Sequence, residues 1–240
     1  MKILKTALSI FVVFLLMGLI SLPFKAMRFS SAIEEMQSVR ASIGNGWLFA
    51  VLGGYRSLVA DFIWIKSYVC WENKDIARCV SSMELACAID PQMTMFWVQG
   101  ASVIAFDIPH WQFERLPKKM QTDEKMELLR VGQARHAIAF IDKGLAMFPD
   151  SYELLIQKGQ VAIGAKLFDI AEQCYGKASE LNDGFYARRI YASLLEKNGK
   201  FSKAIPVLEK LLSEAEADNP ARKLIAEQLL EVRKLAELAK

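Results

Sequence analysis

Residues 152–183 read YELLIQKGQVAIGAKLFDIAEQCYGKASELND, from Tyr152 to Asp183. The stretch divides into two helical patterns. Gly159 stands in the first, where a neighbouring helix must come close. Phe168, Ala171, Tyr175 and Ala178 stand in the second, and Ala171-x-x-x-Tyr175 places a small and a large residue one turn apart. Two antiparallel helices approach only if small residues meet at the crossing while large ones fill the space around it.

The spacing recurs along the chain. Pro149 lies 34 residues before Asp183, and Ala137-x-x-x-Ile141 begins twelve residues before Pro149, as Ala171 begins twelve before Asp183. Cys79-x-x-x-Met83 begins twelve residues before Pro91, and Ala86-Cys87-Ala88-Ile89-Asp90-Pro91 reads as the end of a second helix. Gly199 with Ala204-x-x-x-Leu208 makes a fourth unit, one residue out of step. The interval from Pro91 to Pro149 is 58 residues, which leaves a 24-residue insertion in the second unit.

These residues resemble the tetratricopeptide repeat, whose 34-residue unit is a helix-turn-helix with small-residue crossings. The resemblance covers about Asp61 to Glu216 and is carried best by the third unit. It implies an all-α fold, an α-solenoid of about four such repeats. The pattern's leading Trp is present once, as Trp97. Gly53-Gly54-Tyr55-Arg56 with Asp61-x-x-Trp64 also resembles the opening of some bacterial membrane-anchored repeat proteins. The family implies a non-enzymatic protein that holds a partner or peptide in a concave groove. By register the groove positions are Asp61, Trp64, Tyr68 and Trp71 in repeat one, Val98, Ser102 and Phe106 in repeat two, Ile156 and Gln160 in three, and Tyr186 and Arg189 in four. A fold of this kind does not identify the partner.

The N-terminus bounds the compartment. Lys2 and Lys5 precede an uncharged 19-residue run, Thr6 to Phe24, and Lys25 and Arg28 follow it. At about 1.5 Å per residue such a run spans a hydrocarbon core of about 30 Å. Residues 1–29 are therefore expected to be a transmembrane signal anchor. A cleaved signal peptide is one alternative, although Ile20-Ser21-Leu22-Pro23-Phe24-Lys25 lacks the small-residue cleavage pattern; a buried soluble helix is another. The short basic tail predicts a cytoplasmic N-terminus, with the repeats on the periplasmic side of a bacterial inner membrane. Positive charge is similar on both flanks, so the positive-inside rule discriminates little.

Residues 30–46 read as a stalk, with Ile33, Met36 and Val39 at three-residue spacing and a break at Gly44-Asn45-Gly46. The repeat region follows at 47–216. Its opening segment, Trp47 to Trp71, is long and apolar, but Arg56, Asp61 and Lys66 argue against a second span. On it Asp61, Trp64, Tyr68 and Trp71 share one helical face. Two readings of that stripe are open: packing against a preceding helix, or the end of a binding groove. The insertion, 107–125, is expected to hold an extended Pro-flanked segment and then a helix capped by Thr122, running to Phe148. It is either decoration or a functional loop.

In the fourth unit, Asn198-Gly199 is expected to stop the first helix. Pro206 is expected in the first turn of the second, where its missing N–H is tolerated. Residues 217–240 form the expected capping helix, opened by Asn219-Pro220, with Ile225, Leu229, Val232, Ala236 and Ala239 as its apolar face. A dimerising coiled coil is the alternative reading of that helix.

Catalytic signatures are missing from the sequence: it has no phosphate-binding Gly loop, G-x-S-x-G, H-E-x-x-H or C-x-x-C. No cofactor or metal is expected. His110 and His136 are the only histidines. Cys70, Cys79, Cys87 and Cys174 lack metal spacing and are read as buried thiols, with a Cys70–Cys79 disulfide as the alternative. A net charge of +3, without a basic stripe interleaved with aromatics, gives no footprint for nucleic acid. The sequence thus favours a membrane-anchored repeat scaffold that supports an envelope complex. A self-associating structural subunit without a peptide ligand is the rival.

Overall fold

The computed structural model describes residues 55–181, 184–216 and 219–238. Among them every regular element is helical. The expected anchor, the stalk and Gly53-Gly54 lie outside the described residues, as do Asp183 and Ala239. Among the described residues no helix is long and apolar enough to cross a membrane. The chain divides into two compact units, Met1–Phe96 and Trp97–Lys240.

In the first unit, α1 (Arg56–Glu72) packs on α2 (Ile76–Ile89). Asp75 caps α2 by accepting from the Arg78 N–H at 3.1 Å. Arg56 at the start of α1 donates to buried Asp90 just beyond α2, at 3.4 Å. The core face of α1 is Ala60, Ser67 and Cys70; α2 brings Cys79, Met83, Ala86 and Cys87. The next helix, α3 (Thr94–Ser102), begins at the end of this unit.

In the second unit α3 runs into a π-helical turn, Val103–Asp107, and then α4 (Ile108–Glu114). The expectation of an extended Pro-flanked segment here is therefore corrected. Pro109 is the second residue of α4, directly after the π-helical turn, and the helical path continues through it. Ile108, Pro109 and Trp111 are buried, which holds the segment down. A short 3₁₀ turn, Lys118–Met120, leads to α5 (Asp123–Met147), capped by Thr122 as expected: its hydroxyl accepts from the Lys125 N–H at 3.2 Å.

The remaining helices are α6 (Tyr152–Gly164), α7 (Phe168–Leu181), α8 (Phe185–Lys197), α9 (Phe201–Glu214) and α10 (Ala221–Leu238). Each packs on the next. One core cluster joins Leu155, Ala162, Ala171, Tyr175, Ala178, Ala187 and Leu194 across α6, α7 and α8. A second joins Leu195, Ala204, Leu208, Leu211, Ile225, Leu229 and Val232 across α8, α9 and α10.

The small-x-x-x-large pairs fall where the spacing puts them. Cys79/Met83, Ala137/Ile141, Ala171/Tyr175 and Ala204/Leu208 are all at most 2% exposed, on α2, α5, α7 and α9. The turns inside three of the pairs share a further device. Lys74, Lys166 and Gly199 all have positive φ, at 52°, 59° and 70°, and end α1, α6 and α8 in the same way. Pro206 departs from expectation. It lies inside α9, past the first turn, so one backbone hydrogen bond of the helix is missing there. Asn219 caps α10, its Oδ1 accepting from the Ala221 N–H at 2.9 Å. Ile225, Leu229 and Val232 are buried, and Ala236 is half-buried.

Candidate functional site

The first helices of successive pairs in the second unit lie side by side. Gln157 on α6 donates to the Ser102 hydroxyl on α3 at 2.8 Å. Gln160 on α6 reaches the Tyr186 hydroxyl on α8 at 3.5 Å, the limit of a hydrogen bond. Gln228 on α10 donates to Glu196 on α8 at 2.7 Å and to the Ser193 hydroxyl at 3.3 Å. These bonds link α3, α6, α8 and α10 through polar side chains.

Of the residues the register selects in this unit, Ser102, Phe106, Gln160 and Tyr186 are thereby gathered on one set of helices. Phe106 is 43% and Tyr186 51% exposed. Gly164 allows the Phe106 ring its place: a Cβ there would stand 3.1 Å from Phe106 Cε1. The Tyr186 ring meets Tyr175 edge-on, centroids 6.4 Å apart. Arg189 is half-buried on α8. Val98 is half-buried, and Ile156 packs against the core cluster.

The first unit is a separate matter. Asp61 is exposed on α1. Trp64 is half-buried, its ring stacked on Phe96 at 4.7 Å, whereas Tyr68 is 58% exposed and stacks on Trp71 at 5.5 Å. The stripe thus divides: Trp64 packs within the unit, while Tyr68 shows most of its surface to solvent.

Sequence reasoning missed Gln157, buried one residue from Ile156, because its partner Ser102 is 55 residues away. It also missed a polar cluster between α7 and the turn that joins α8 to α9. Glu172, buried on α7, accepts from Asn198 at 2.6 Å and from Lys200 at 2.7 and 2.9 Å. Burial works to raise the Glu172 pKa, but these bonds outweigh it and hold the carboxyl below its usual range. The hydrogen bond to Glu172 in turn raises the Lys200 pKa. Burial raises the Tyr175 phenol, with its bond to Tyr186 adding to the effect, and pushes the Cys174 thiol up to about 11. All four cysteines are free and buried, so Cys70 and Cys79 are packed thiols and not a bridge.

A cleft of about 460 Å³ opens between α7, α8 and α9, lined by Ser179, Glu180, Arg188, Tyr191, Pro206, Val207 and Lys210. Its cations are already engaged, since both Arg188 and Lys210 pair with Glu214. His110 and His136 are both exposed. Among the described residues no three His, Cys, Asp or Glu side chains are grouped to hold a metal. What the arrangement offers is recognition: exposed aromatic faces beside amides and hydroxyls, on helices fixed by their own core.

No protein-family model matches the chain, and no curated protein matches it. Among solved structures it is similar to a thermophilic TPR protein of Thermus thermophilus. That match has 16% identity and a TM-score of 0.37, over 71% of this chain and 99% of the other. At that score the likeness transfers no residue and no activity. The repeat assignment rests on this chain's own helix pairs, buried small residues and shared turns. On those grounds the described chain is an all-helical protein built of tetratricopeptide-like helix pairs.

Proposed function

We propose that the protein is a non-enzymatic scaffold that holds a partner protein or peptide segment on the first helices of its repeats. The observation that carries this reading is the gathering of Phe106, Gln160 and Tyr186 on adjoining helices, with both rings about half exposed. Exposed aromatics supply large contact area at low entropic cost, and amides satisfy a ligand's backbone. Arg189 adds a cation on the same helix as Tyr186. The apolar run Thr6–Phe24 supports anchoring in a bacterial inner membrane, with the repeats in the periplasm and an envelope complex as the setting. No cofactor, metal or nucleic acid enters this reading.

The test is a photoreactive benzoylphenylalanine in place of Tyr186, in the full-length protein in its membrane. The expected product is a cross-link to a different protein, absent when the same probe replaces exposed Gln173 on α7. Equal products at both positions, or none at Tyr186, would refute the reading. A cross-link only between two copies would favour self-association. Leu224, Leu230 and Leu238, all more than half exposed on α10, are the observation behind that second reading.

A further inference from the structure

Arg189 is the exception among the buried and half-buried cations from α6 to α10. Lys158 pairs with Asp142, Arg188 with Glu214 and Lys200 with Glu172, and Arg222 donates to the Leu212 carbonyl at 3.1 Å. Arg189 is half-buried as they are, yet among the described residues no carboxylate or carbonyl meets its guanidinium. Its place on α8 is fixed by two neighbours. Tyr186, one turn before it, is tied to α6 through Gln160, and Ser193, one turn after it, is tied to α10 through Gln228. The three residues share one face of the helix, so Arg189 stands on the groove face between α6 and α10. Glu196, on the same face, is seven residues further, about 10 Å along the helix, and is bonded to Gln228.

We propose, resting on the partner-holding reading of these helices, that the segment they hold is apolar and carries one internal Asp or Glu, whose carboxylate pairs with Arg189. The surface around Arg189 sets the first half of that chemistry. Toward α6 it offers Phe106, Ile156 and Ile163 beside the Tyr186 ring, without a charge. Toward α10 it offers Leu224, more than half exposed, and Leu235, at four residues before and seven after Gln228 and so on the same side of that helix. Apolar surface on both sides of the cation fits an acid inside a segment and not a chain end. The cation sets the second half. A guanidinium presents a planar fork that matches the two oxygens of a carboxylate. One Arg balances one carboxylate, whereas a phosphate carries close to two charges. Because Arg189 is already partly withdrawn from water, a segment lacking the acid would bury a charge without a counter-charge, which selects against it.

The test uses the full-length protein in its membrane, with benzoylphenylalanine replacing exposed Gln160. Arg189→Gln should lower the yield of the heterologous cross-link at least tenfold, and Arg189→Lys should restore only part of it, since an ammonium lacks the fork. Arg130→Gln, exposed on α5, should leave the yield unchanged. Mass spectrometry should place the adduct in an apolar stretch of the other protein with an Asp or Glu inside it. Exchanging that acid for Arg should restore the yield lost in Arg189→Glu, a rescue that a folding defect would not give. An undiminished yield in Arg189→Gln would overturn the proposal and leave the partner-holding reading standing. An adduct on a stretch without an acid, on a phosphorylated residue or on a free C-terminus would also overturn it, and so would failure of the charge exchange. Absence of any heterologous cross-link from the chain with Arg189 intact would overturn both.

Discussion

Gly159 lies under the Tyr175 ring, and no larger residue fits there. A Cβ on Gly159 would stand 2.6 and 2.8 Å from Tyr175 Cε2 and Cδ2, and the ring itself is buried at 1% exposure. Gly159→Ala is therefore expected to destabilise by about 1–3 kcal/mol, measured by denaturant unfolding. In a double-mutant cycle, Tyr175→Leu should recover part of that loss. The crossing was legible in the sequence because both residues belong to one spaced pattern. The Glu172 cluster was not, since Asn198 and Lys200 come from the next pair's turn, 26 and 28 residues on. Its consequence is a pH dependence. The Glu172 pKa is lowered on folding, so its contribution is present above the unfolded value, about 4.3, and is lost as pH falls through the folded value. The Lys200 pKa is raised, so its contribution holds below about 10.4 and is lost as pH rises through the folded value. Thermal melts of Glu172→Gln and the wild-type chain should differ at neutral pH and converge in acid below pH about 4.

At the scale of the element, the helix pairs were readable and their ends partly so. Thr122, Asn198-Gly199 and Asn219 act where the capping chemistry puts them. The segment around Pro109 was misread because a proline flanked by irregular sequence fits a loop or a first helical turn equally well. Burial of Ile108 and Trp111 decides for the helix, and sequence alone does not show that burial. The π-helical turn Val103–Asp107 had no signal at all, yet it is the turn that carries Phe106. The turn residues give a graded test. Gly199 has a φ of 70° with open space around its Cα. Gly199→Ala should thus cost about 1–2 kcal/mol from backbone strain alone. The reverse change in the equivalent turn of the first pair, Lys74→Gly at φ 52°, should stabilise. Chemical denaturation of the two variants checks both signs.

Over the whole molecule, sequence gives a recurring pair, and the structure adds which side chains join one pair to the next. The Ser102–Gln157, Gln160–Tyr186 and Glu196–Gln228 bonds link residues 26 to 55 apart, a distance no local pattern encodes. The central claim is that the exposed aromatics on the first helices serve a partner and not the core. Its most direct measurement sets Phe106→Ala and Tyr186→Ala beside Ala101→Leu, whose site is fully buried. Ala101→Leu should lower the melting temperature by overpacking, a cost of about 1–3 kcal/mol. The two aromatic variants should melt close to the wild-type chain. Each should lose the heterologous partner cross-linked from a benzoylphenylalanine in place of Gln160, by about 30-fold if it is a hot spot worth about 2 kcal/mol. If all three melt alike, far below the wild-type chain, the rings are structural and the binding account is wrong.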